Sequence, residues 1–194
     1  MHNFVHFLKY FFGVASPLSE TTTDERACLQ THASGRRRLV EIGVRHGVNT
    51  RGMREVMARD GVLVAIDPYR RLPFGLGVFG WAKIIAHRET GKIGNGTVVW
   101  IEDLGKNAVN HSSVQSLLPV DFLFIDGNHS WEGIRGDWEA WSGNVSPGGI
   151  VALHDSRNKP GWDSQRFTDD VVRKDTRYRC IDGVDTLTVL QRCG

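Results

Sequence analysis

The sequence predicts an α/β fold in which a mostly parallel sheet is covered by helices on both faces. Short apolar runs alternate with segments of helical spacing over residues 38–155, a pattern typical of parallel strands joined by right-handed crossovers. The last two apolar runs flank a short Asp-Gly-Val-Asp segment, which favours an antiparallel hairpin. We therefore expect a Rossmann-like, doubly wound sheet of seven strands, at residues 39–42, 62–66, 98–101, 121–126, 150–153, 178–181 and 186–190.

Capping residues and apolar spacing place the helices between these strands. Thr23 precedes two acidic residues, Ser130 precedes a run of tryptophans at spacings of three and four, and Pro119 ends a modest helical segment. Each is a common helix boundary signal. Helices are predicted over residues 4–12, 23–31, 51–59, 81–88, 107–118, 130–143 and 162–174. The glycine-rich and aromatic residues 68–80 are predicted to form a mobile flap over a site.

Length and composition favour one domain. A chain of 194 residues with 40% hydrophobic content can bury one core but is short for two. We expect an aromatic amphipathic segment and linker at residues 1–22 and one domain at residues 23–194. The formal net charge of +2 is too small to predict a nucleic-acid partner.

The amino-terminal aromatic run matches neither a membrane span nor an export signal. It is far shorter than the roughly 20 apolar residues of a membrane span. It also lacks the leading positive charge of a signal peptide. We expect no transmembrane segment, a cytoplasmic location, and a helix that packs on the domain or on a second copy in a homodimer.

The turn after the first strand is the most informative local feature. The run Leu-Val-Glu-Ile ends at Gly43, and Gly47 follows just before a helical segment. Glycines at such a turn let a ligand contact bare backbone. Glu41 lies inside the strand, and a buried carboxylate requires a partner. That partner can be a ligand, a neighbouring arginine or backbone amides. A dinucleotide fingerprint is excluded, because Arg45 and Val48 replace two of its three glycines.

Acidic residues stand at or just beyond the ends of the first five strands: Glu41, Asp67, Asp103, Asp126 and Asp155. The carboxyl ends of parallel strands share one edge of a sheet, so these acids are expected to line a crevice. Asp67 can accept hydrogen bonds from both hydroxyls of a ribose, although capping a turn before Pro68 is an equal alternative. Asp103 can meet the base end of a nucleoside or simply form a turn.

Four ordered segments carry a family resemblance. They are Val-Glu-Ile-Gly, Ala-Ile-Asp-Pro-Tyr, Phe-Ile-Asp-Gly-Asn-His-Ser-Trp and Ser-Pro-Gly-Gly-Ile-Val-Ala-Leu-His-Asp. Together they resemble class I S-adenosylmethionine-dependent methyltransferases, in the subgroup of macrocin-type sugar O-methyltransferases and cephalosporin-hydroxylase-like proteins. The resemblance implies a cofactor, S-adenosylmethionine, bound beside Glu41, Gly43, Gly47, Asp67, Asp103 and Asp126.

The resemblance also implies a metal and a base. In metal-dependent members, acids at the ends of strands four and five hold magnesium, which here means Asp126 and Asp155, and His129 matches a proposed catalytic base. His154 departs from the family pattern, because magnesium prefers oxygen ligands. Either His154 points into the protein, or it binds manganese, iron or zinc instead, or no metal is bound. His129 has the alternative role of capping the following helix.

The expected activity is O-methylation of a small hydroxylated acceptor, either a sugar or a phenol, with a divalent metal. The alternative is a non-catalytic protein that retains the fold and binds a nucleotide or cofactor. The incomplete dinucleotide fingerprint argues against an oxidoreductase. The absence of a G-x-S-x-G elbow argues against the usual serine hydrolase.

Overall fold

The sheet is the framework of the protein, for which a computed structural model describes residues 2–69 and 80–194. The strands in those ranges are β1 (Arg38–Ile42), β2 (Val62–Ile66), β3 (Thr97–Ile101), β4 (Val120–Ile125), β5 (Val145–Leu153), β6 (Tyr178–Val184) and β7 (Leu187–Arg192). Within the described residues they form one seven-stranded sheet in the order β3-β2-β1-β4-β5-β7-β6.

The strand order confirms the predicted fold class. Strands β1 to β5 run parallel, while β7 pairs antiparallel with both β5 and β6. The chain builds β2 and β3 on one side of β1 and then returns to place β4 on the other side. A crevice opens at the carboxyl ends where the order reverses. In this sheet that point lies between β1 and β4.

Helices cover both faces of the sheet. They are α1 (His2–Phe11), α2 (Thr23–Ala33), α3 (Val48–Val56), α4 (Gly80–Gly91), α5 (Gly105–Ala108), α6 (Ser112–Gln115), α7 (Trp131–Trp141) and α8 (Asp163–Asp170). On one face Trp138 and Trp141 of α7 pack against the sheet, and on the other Leu29 of α2 and Met53 of α3 do so. Strands buried on both faces read as continuous apolar runs, which explains the sequence of β2 and β4.

The predicted helix at residues 107–118 is wrong as a single element. The chain instead forms the short helices α5 and α6, and His111 between them has extended backbone angles (φ −67°, ψ 138°). Asn, His and Ser have modest helix propensity and compete for backbone hydrogen bonds. The polar run Asn110 to Ser113 therefore interrupts the helix.

Strand β5 begins earlier than predicted. Val145 pairs with Val120, and Ile150 pairs with Phe122, with an irregularity between them. The Ser-Pro-Gly-Gly segment that predicted a turn is thus a bulge inside the strand, with Gly148 at φ +75°. Extra residues in one strand produce such a bulge without ending the pairing.

Helix α1 packs on α4 of the same chain. The rings of Phe4 and Phe7 lie 5.2 and 4.5 Å from that of Trp81, and the Tyr10 hydroxyl donates a 2.5 Å hydrogen bond to Oε1 of Glu89. Phe12, beyond the helix, is 75% exposed. The predicted homodimer through this segment stays a prediction.

Two further expectations concern the surface. Most of the predicted flap at residues 68–80 lies outside the described residues. Among the residues that are described, no helix combines the length and the apolar character that a membrane crossing requires.

Candidate active site

A cavity of about 710 Å³ lies at the carboxyl ends of β1, β2 and β4. Gly43, Asp67, Asp126, His129 and Asp137 are among the residues that line it. A volume of several hundred Å³ is typical of sites for nucleoside-sized ligands. The crevice predicted from the strand order is therefore present, and three of the residues predicted for the cofactor line it.

Gly43 and Gly47 lie in the turn after β1, and Gly43 lines the cavity. Gly43 has φ +92°, and a Cβ there would lie 2.0 Å from the carbonyl oxygen of Asp126. Gly47 has φ +71°, and a Cβ there would lie 3.0 Å from the backbone of Ala86. Only glycine accommodates both constraints. Gly43 contacts the cavity directly, whereas Gly47 begins α3 against α4.

Asp67 fixes the turn and also faces the cavity. Its Oδ2 accepts hydrogen bonds from the backbone N–H groups of Val44 (3.0 Å) and Arg45 (2.9 Å). Its Oδ1 accepts one from Tyr69 N (2.9 Å). An ionised carboxylate has roughly four acceptor positions, and the turn uses three of them, so one position on Oδ1 remains for a ribose hydroxyl.

Glu41 lies beneath the cavity and is fully buried. Its Oε2 accepts a 2.5 Å hydrogen bond from the Thr50 hydroxyl, while Oε1 has no hydrogen-bond partner among the described residues. Burial raises its pKa well above the usual range, with the neighbouring Asp126 and Asp67 adding to the effect. Among residues 2–69 and 80–194, no arginine or backbone amide holds it. Thr50 does so instead, and no local pattern in the sequence predicted that contact.

Asp103 does not line the cavity. Its carboxylate accepts hydrogen bonds from Leu104 N (2.7 Å) and Asn107 Nδ2 (3.0 Å) and lies 3.3 Å from Nε2 of His111. The structure therefore fits the turn-forming alternative. The cavity wall after β3 is formed by Leu104, Gly105 and Lys106 instead.

Asp137 is a cavity residue that the sequence did not reveal. This residue lies on α7, is 6% exposed and lines the cavity. Burial raises the pKa of its carboxyl to about 6, against the lowering effect of a hydrogen bond from the Lys106 backbone. In the sequence, the only indication of this role was that Asp137 lies beside the apolar stripe of α7, directly before Trp138. An acid at the edge of an apolar helix face is normally exposed to solvent, so the indication was weak.

Asp126, His129, His154 and Asp155 meet at the ends of β4 and β5. Nε2 of His129 lies 3.7 Å from Oδ1 of Asp126 and 3.9 Å from Oδ2 of Asp155. Nδ1 of His154 lies 2.8 Å from Oδ1 of Asp126 and 3.8 Å from Oδ2 of Asp155. The predicted base and the predicted metal ligands thus form one group, which we call the strand-end cluster.

His129 is not the helix cap. The N-cap of α7 is Ser130, whose Oγ accepts a hydrogen bond from Gly133 N (3.2 Å). Asn128 in turn accepts from Ser130 N (3.0 Å). The side chain of His129 is 27% exposed, so its ring is accessible from the cavity that it lines.

His154 is buried and lies between two carboxylates. Its side chain is 2% exposed, and Nε2 lies 3.4 Å from Oε2 of Glu25. Burial alone would lower the pKa of His154, but the carboxylates of Asp126 and Glu25 outweigh it and raise the pKa to about 10. His154 therefore points toward the cluster with one nitrogen and into the protein with the other.

Glu25 is a second residue that the sequence did not reveal. It is fully buried. Its Oε1 accepts from the Thr186 backbone N–H (2.8 Å) and hydroxyl (2.6 Å), and Oε2 accepts from Thr22 N (2.8 Å). Burial alone would raise its pKa, but His154 and these donors lower it to about 2. The available signal was the Thr-x-x-Glu capping box, and Thr22 rather than Thr23 is the N-cap.

The strand-end cluster can accommodate a divalent ion. One group of side chains whose ligand atoms lie within 4.8 Å of one another consists of Asp126, His129 and His154, and Asp155 adjoins it. The donors are carboxylate oxygens and imidazole nitrogens. Such a mixed set suits transition metals better than magnesium.

The comparisons with known proteins agree with this architecture. A family model described as a methyltransferase domain matches residues 40–156. This chain belongs to the class I S-adenosylmethionine-dependent methyltransferase family. The matched range includes the glycine turn, Asp67 and the whole strand-end cluster. No curated protein matches the chain.

Solved structures of methyltransferases share the fold. The O-methyltransferase TomG from Streptomyces achromogenes, solved with S-adenosylmethionine, is 16% identical, with 97% of this chain and 87% of TomG covered and a TM-score of 0.64. The calicheamicin methyltransferase CalS11 is 15% identical, with coverages of 86% and 77% and a TM-score of 0.59. The N-methyltransferase NodS from Bradyrhizobium japonicum, solved with S-adenosylhomocysteine, is 13% identical, with coverages of 87% and 84% and a TM-score of 0.56. At these identities the likeness shows the fold.

Proposed function

We propose that this methyltransferase transfers the methyl group of S-adenosylmethionine to a hydroxyl oxygen of a small acceptor, either a sugar or a phenol. The observation that carries the proposal is the position of His129. Its Nε2 lies beside two carboxylates at the rim of a nucleoside-sized cavity. A hydroxyl must lose its proton during methylation, and a histidine at this place can accept it.

The cofactor would lie across the reversal point of the sheet. Gly43 would let the amino-acid part approach the backbone of β1, while the remaining acceptor position on Oδ1 of Asp67 would take a hydrogen bond from a ribose hydroxyl. Glu41 supports this turn from below, through Thr50. TomG and NodS were solved with the cofactor and its product, respectively, which supports binding of the same nucleoside here.

The acceptor hydroxyl would lie at the strand-end cluster, where donor sulfur and acceptor oxygen can align for an in-line displacement. Holding two reactants in this geometry supplies a large part of the rate enhancement. His129 removes the proton. General-base assistance contributes about 100- to 10,000-fold.

A divalent ion would be held by Asp126, Asp155 and His154. When bound, such an ion makes a coordinated hydroxyl more acidic through its charge. Neighbouring residues hold Asp155 in position. Ser164 donates a 2.7 Å hydrogen bond to the backbone oxygen of Asp155, which has a left-handed backbone conformation at φ +51°. Lys159 Nζ lies 3.4 Å from Oδ1 of Asp155 and holds that carboxylate in place.

TomG and CalS11 suggest the acceptor classes to test. One is named an O-methyltransferase of tomaymycin synthesis, and the other a TDP-rhamnose 3′-O-methyltransferase. We propose a small molecule of this kind as the partner. A cytoplasmic location and the homodimer remain predictions.

Methyl transfer from isotopically labelled S-adenosylmethionine to a panel of nucleotide sugars and catechols tests the proposal. We expect label on an acceptor oxygen, with the signal lost in His129→Gln but not in Ser113→Ala, a control on the exposed surface of α6. Label on acceptor nitrogen alone, or equal transfer by the His129 variant, would contradict the O-methylation mechanism. Cofactor binding without transfer to any acceptor class would favour the non-catalytic alternative.

A further inference from the structure

We propose that Glu25 and His154 together present Nδ1 of His154 as a nitrogen ligand, so that the strand-end cluster prefers a borderline ion such as iron(II), cobalt(II) or zinc(II) to magnesium. The inference rests on the proposed function, because it concerns the ion beside the acceptor hydroxyl. It adds a positioning residue from α2, far from the cluster in sequence.

The first observation concerns the contacts of Nδ1 of His154. This atom is buried and has no aligned hydrogen-bond partner among the described residues, although Oδ1 of Asp126 lies 2.8 Å away. Buried polar atoms normally have a well-aligned hydrogen bond, so a ring nitrogen held only by an ion pair within a site indicates a functional role. Here the atom faces carboxylates and a second imidazole.

The second observation is how Glu25 is held. Three hydrogen bonds from Thr22 and Thr186 fix its carboxylate, and Oε2 lies 3.4 Å from Nε2 of His154. An ionised carboxylate only accepts hydrogen bonds, so Glu25 favours a proton on Nε2, and Asp126 favours one on Nδ1 in the metal-free chain. An ion bound at Nδ1 would displace that proton, because a metal ligand must be deprotonated, while Glu25 would keep the proton on Nε2. Metal-bound histidines almost always have a carboxylate, carbonyl or water at the other nitrogen.

The third observation is the spacing of the donor atoms. An ion about 2.1 Å from each of two ligands separates them by about 3.0 to 3.4 Å in octahedral or tetrahedral geometry. Nδ1 of His154 is 2.8 Å from Asp126 and 3.8 Å from Asp155. These values bracket the required spacing. Small side-chain rotations can therefore bring each of these two pairs to ligand distance.

Metal binding must be measured in a background that removes a second candidate group. Cys28, His32 and Asp182 also lie close enough together to hold an ion. The full chain carrying Cys28→Ser and His32→Gln is therefore titrated with cobalt(II) alone, and magnesium is then added as a competitor. We expect one bound cobalt per chain, displaced only by magnesium at about 100-fold or greater excess.

Two variants in this background test the nitrogen ligand and its support. His154→Asn supplies an oxygen in place of Nδ1 and should weaken cobalt binding by about 10-fold or more while leaving magnesium binding nearly unchanged. Glu25→Gln should weaken cobalt binding by about 10- to 100-fold, as loss of an outer partner typically does. Thr22→Val is the matched control: it removes the hydroxyl that caps α2 but keeps the backbone donor to Glu25, and cobalt affinity should persist.

Proton NMR of the cobalt form provides the direct readout. A ring N–H of a cobalt-bound histidine gives a strongly shifted signal that disappears in D₂O. This signal should be present in the background protein and in His129→Gln, and absent in His154→Asn. Its persistence in His154→Asn, failure of cobalt to bind, or equal competition by magnesium would overturn the inference.

The outcomes also separate this inference from the proposed function. Binding of S-adenosylhomocysteine, measured by calorimetry, should be unchanged in His154→Asn and Glu25→Gln. Selective cobalt binding in a chain that methylates no hydroxyl would refute the proposed function and leave the inference intact. O-methylation that persists with EDTA, in a chain that binds no cobalt, would refute the inference about the ion and leave the proposed function intact.

Discussion

Gly43 lies directly against Asp126: a Cβ on the glycine would be 2.0 Å from the carbonyl oxygen of the aspartate. This contact joins the turn after β1 to the end of β4, and thereby joins the cofactor cleft to the strand-end cluster. Any side chain at position 43 must push the two strand ends apart. The close approach explains why the turn requires glycine.

Gly43→Ala should therefore be strongly destabilising. The left-handed backbone costs an alanine about 1 to 2 kcal/mol, and the clash adds strain on top. Gly35→Ala is the matched control, because Gly35 has φ +69° but open space around its Cβ position. Urea denaturation should show a clearly larger loss in unfolding free energy for Gly43→Ala. Equal losses would mean that the contact with Asp126 relaxes freely.

His129→Gln should reduce turnover, whereas Asp67→Asn should weaken nucleoside affinity. Loss of the base should reduce kcat by about 100- to 10,000-fold and leave affinity for S-adenosylhomocysteine unchanged. Loss of the Asp67 charge should weaken nucleoside affinity by about 10-fold or more, because charged hydrogen bonds are worth about 1.5 to 3 kcal/mol. Steady-state kinetics and calorimetry measure the two quantities. If both variants lose both properties equally, the residues have structural roles.

Asp137 should make stability depend on pH. Its folded pKa of about 6 is above the ordinary value of 3.8, so the folded state binds the proton more tightly than the unfolded state. Stability is therefore lost as pH rises from about 4 to about 6. Asp137→Asn removes this loss, and its advantage should grow from pH 5 to pH 7, to at most about 3 kcal/mol. Urea denaturation across that range measures it; a constant difference would contradict the assignment.

Tyr10→Phe should loosen the amino-terminal helix. Tyr10 donates its hydroxyl to Glu89, which is 1% exposed and also pairs with Arg51 and Lys92. The variant loses one charged hydrogen bond, worth about 1.5 to 3 kcal/mol. Hydrogen exchange should become faster over α1, with no change in β1. Unchanged exchange over α1 would show that the aromatic contacts to Trp81 suffice to hold the helix.

The sequence predicted those features that follow from local patterns. Apolar runs such as Val62–Ile66 identify buried parallel strands without further information, and the acids that follow them fall on one edge by topology alone. For this reason the sheet, Asp67 and the Asp126–His129–His154 grouping were predictable. The break in the helix at His111 was not predictable, because the helix propensities of the residues at the break are only slightly lower than those of residues that continue a helix.

The missed site residues depend on contacts between distant segments. Glu25 reaches His154 from a helix 129 positions earlier, and no local pattern encodes that meeting; its capping box explains only the start of α2. Asp103 shows why an acid after a strand is ambiguous. Such an acid can contact a ligand or form a turn, and here its oxygens accept hydrogen bonds from Leu104 and Asn107. Turn formation and ligand binding favour the same residue types.

A crystal structure of the full chain with S-adenosylhomocysteine tests the central claim most directly. We expect a ribose hydroxyl within hydrogen-bond distance of Oδ1 of Asp67, the amino-acid part over Gly43, and the sulfur directed toward His129. A product molecule bound elsewhere, with the cleft between Asp67 and Asp126 free of it, would contradict the account.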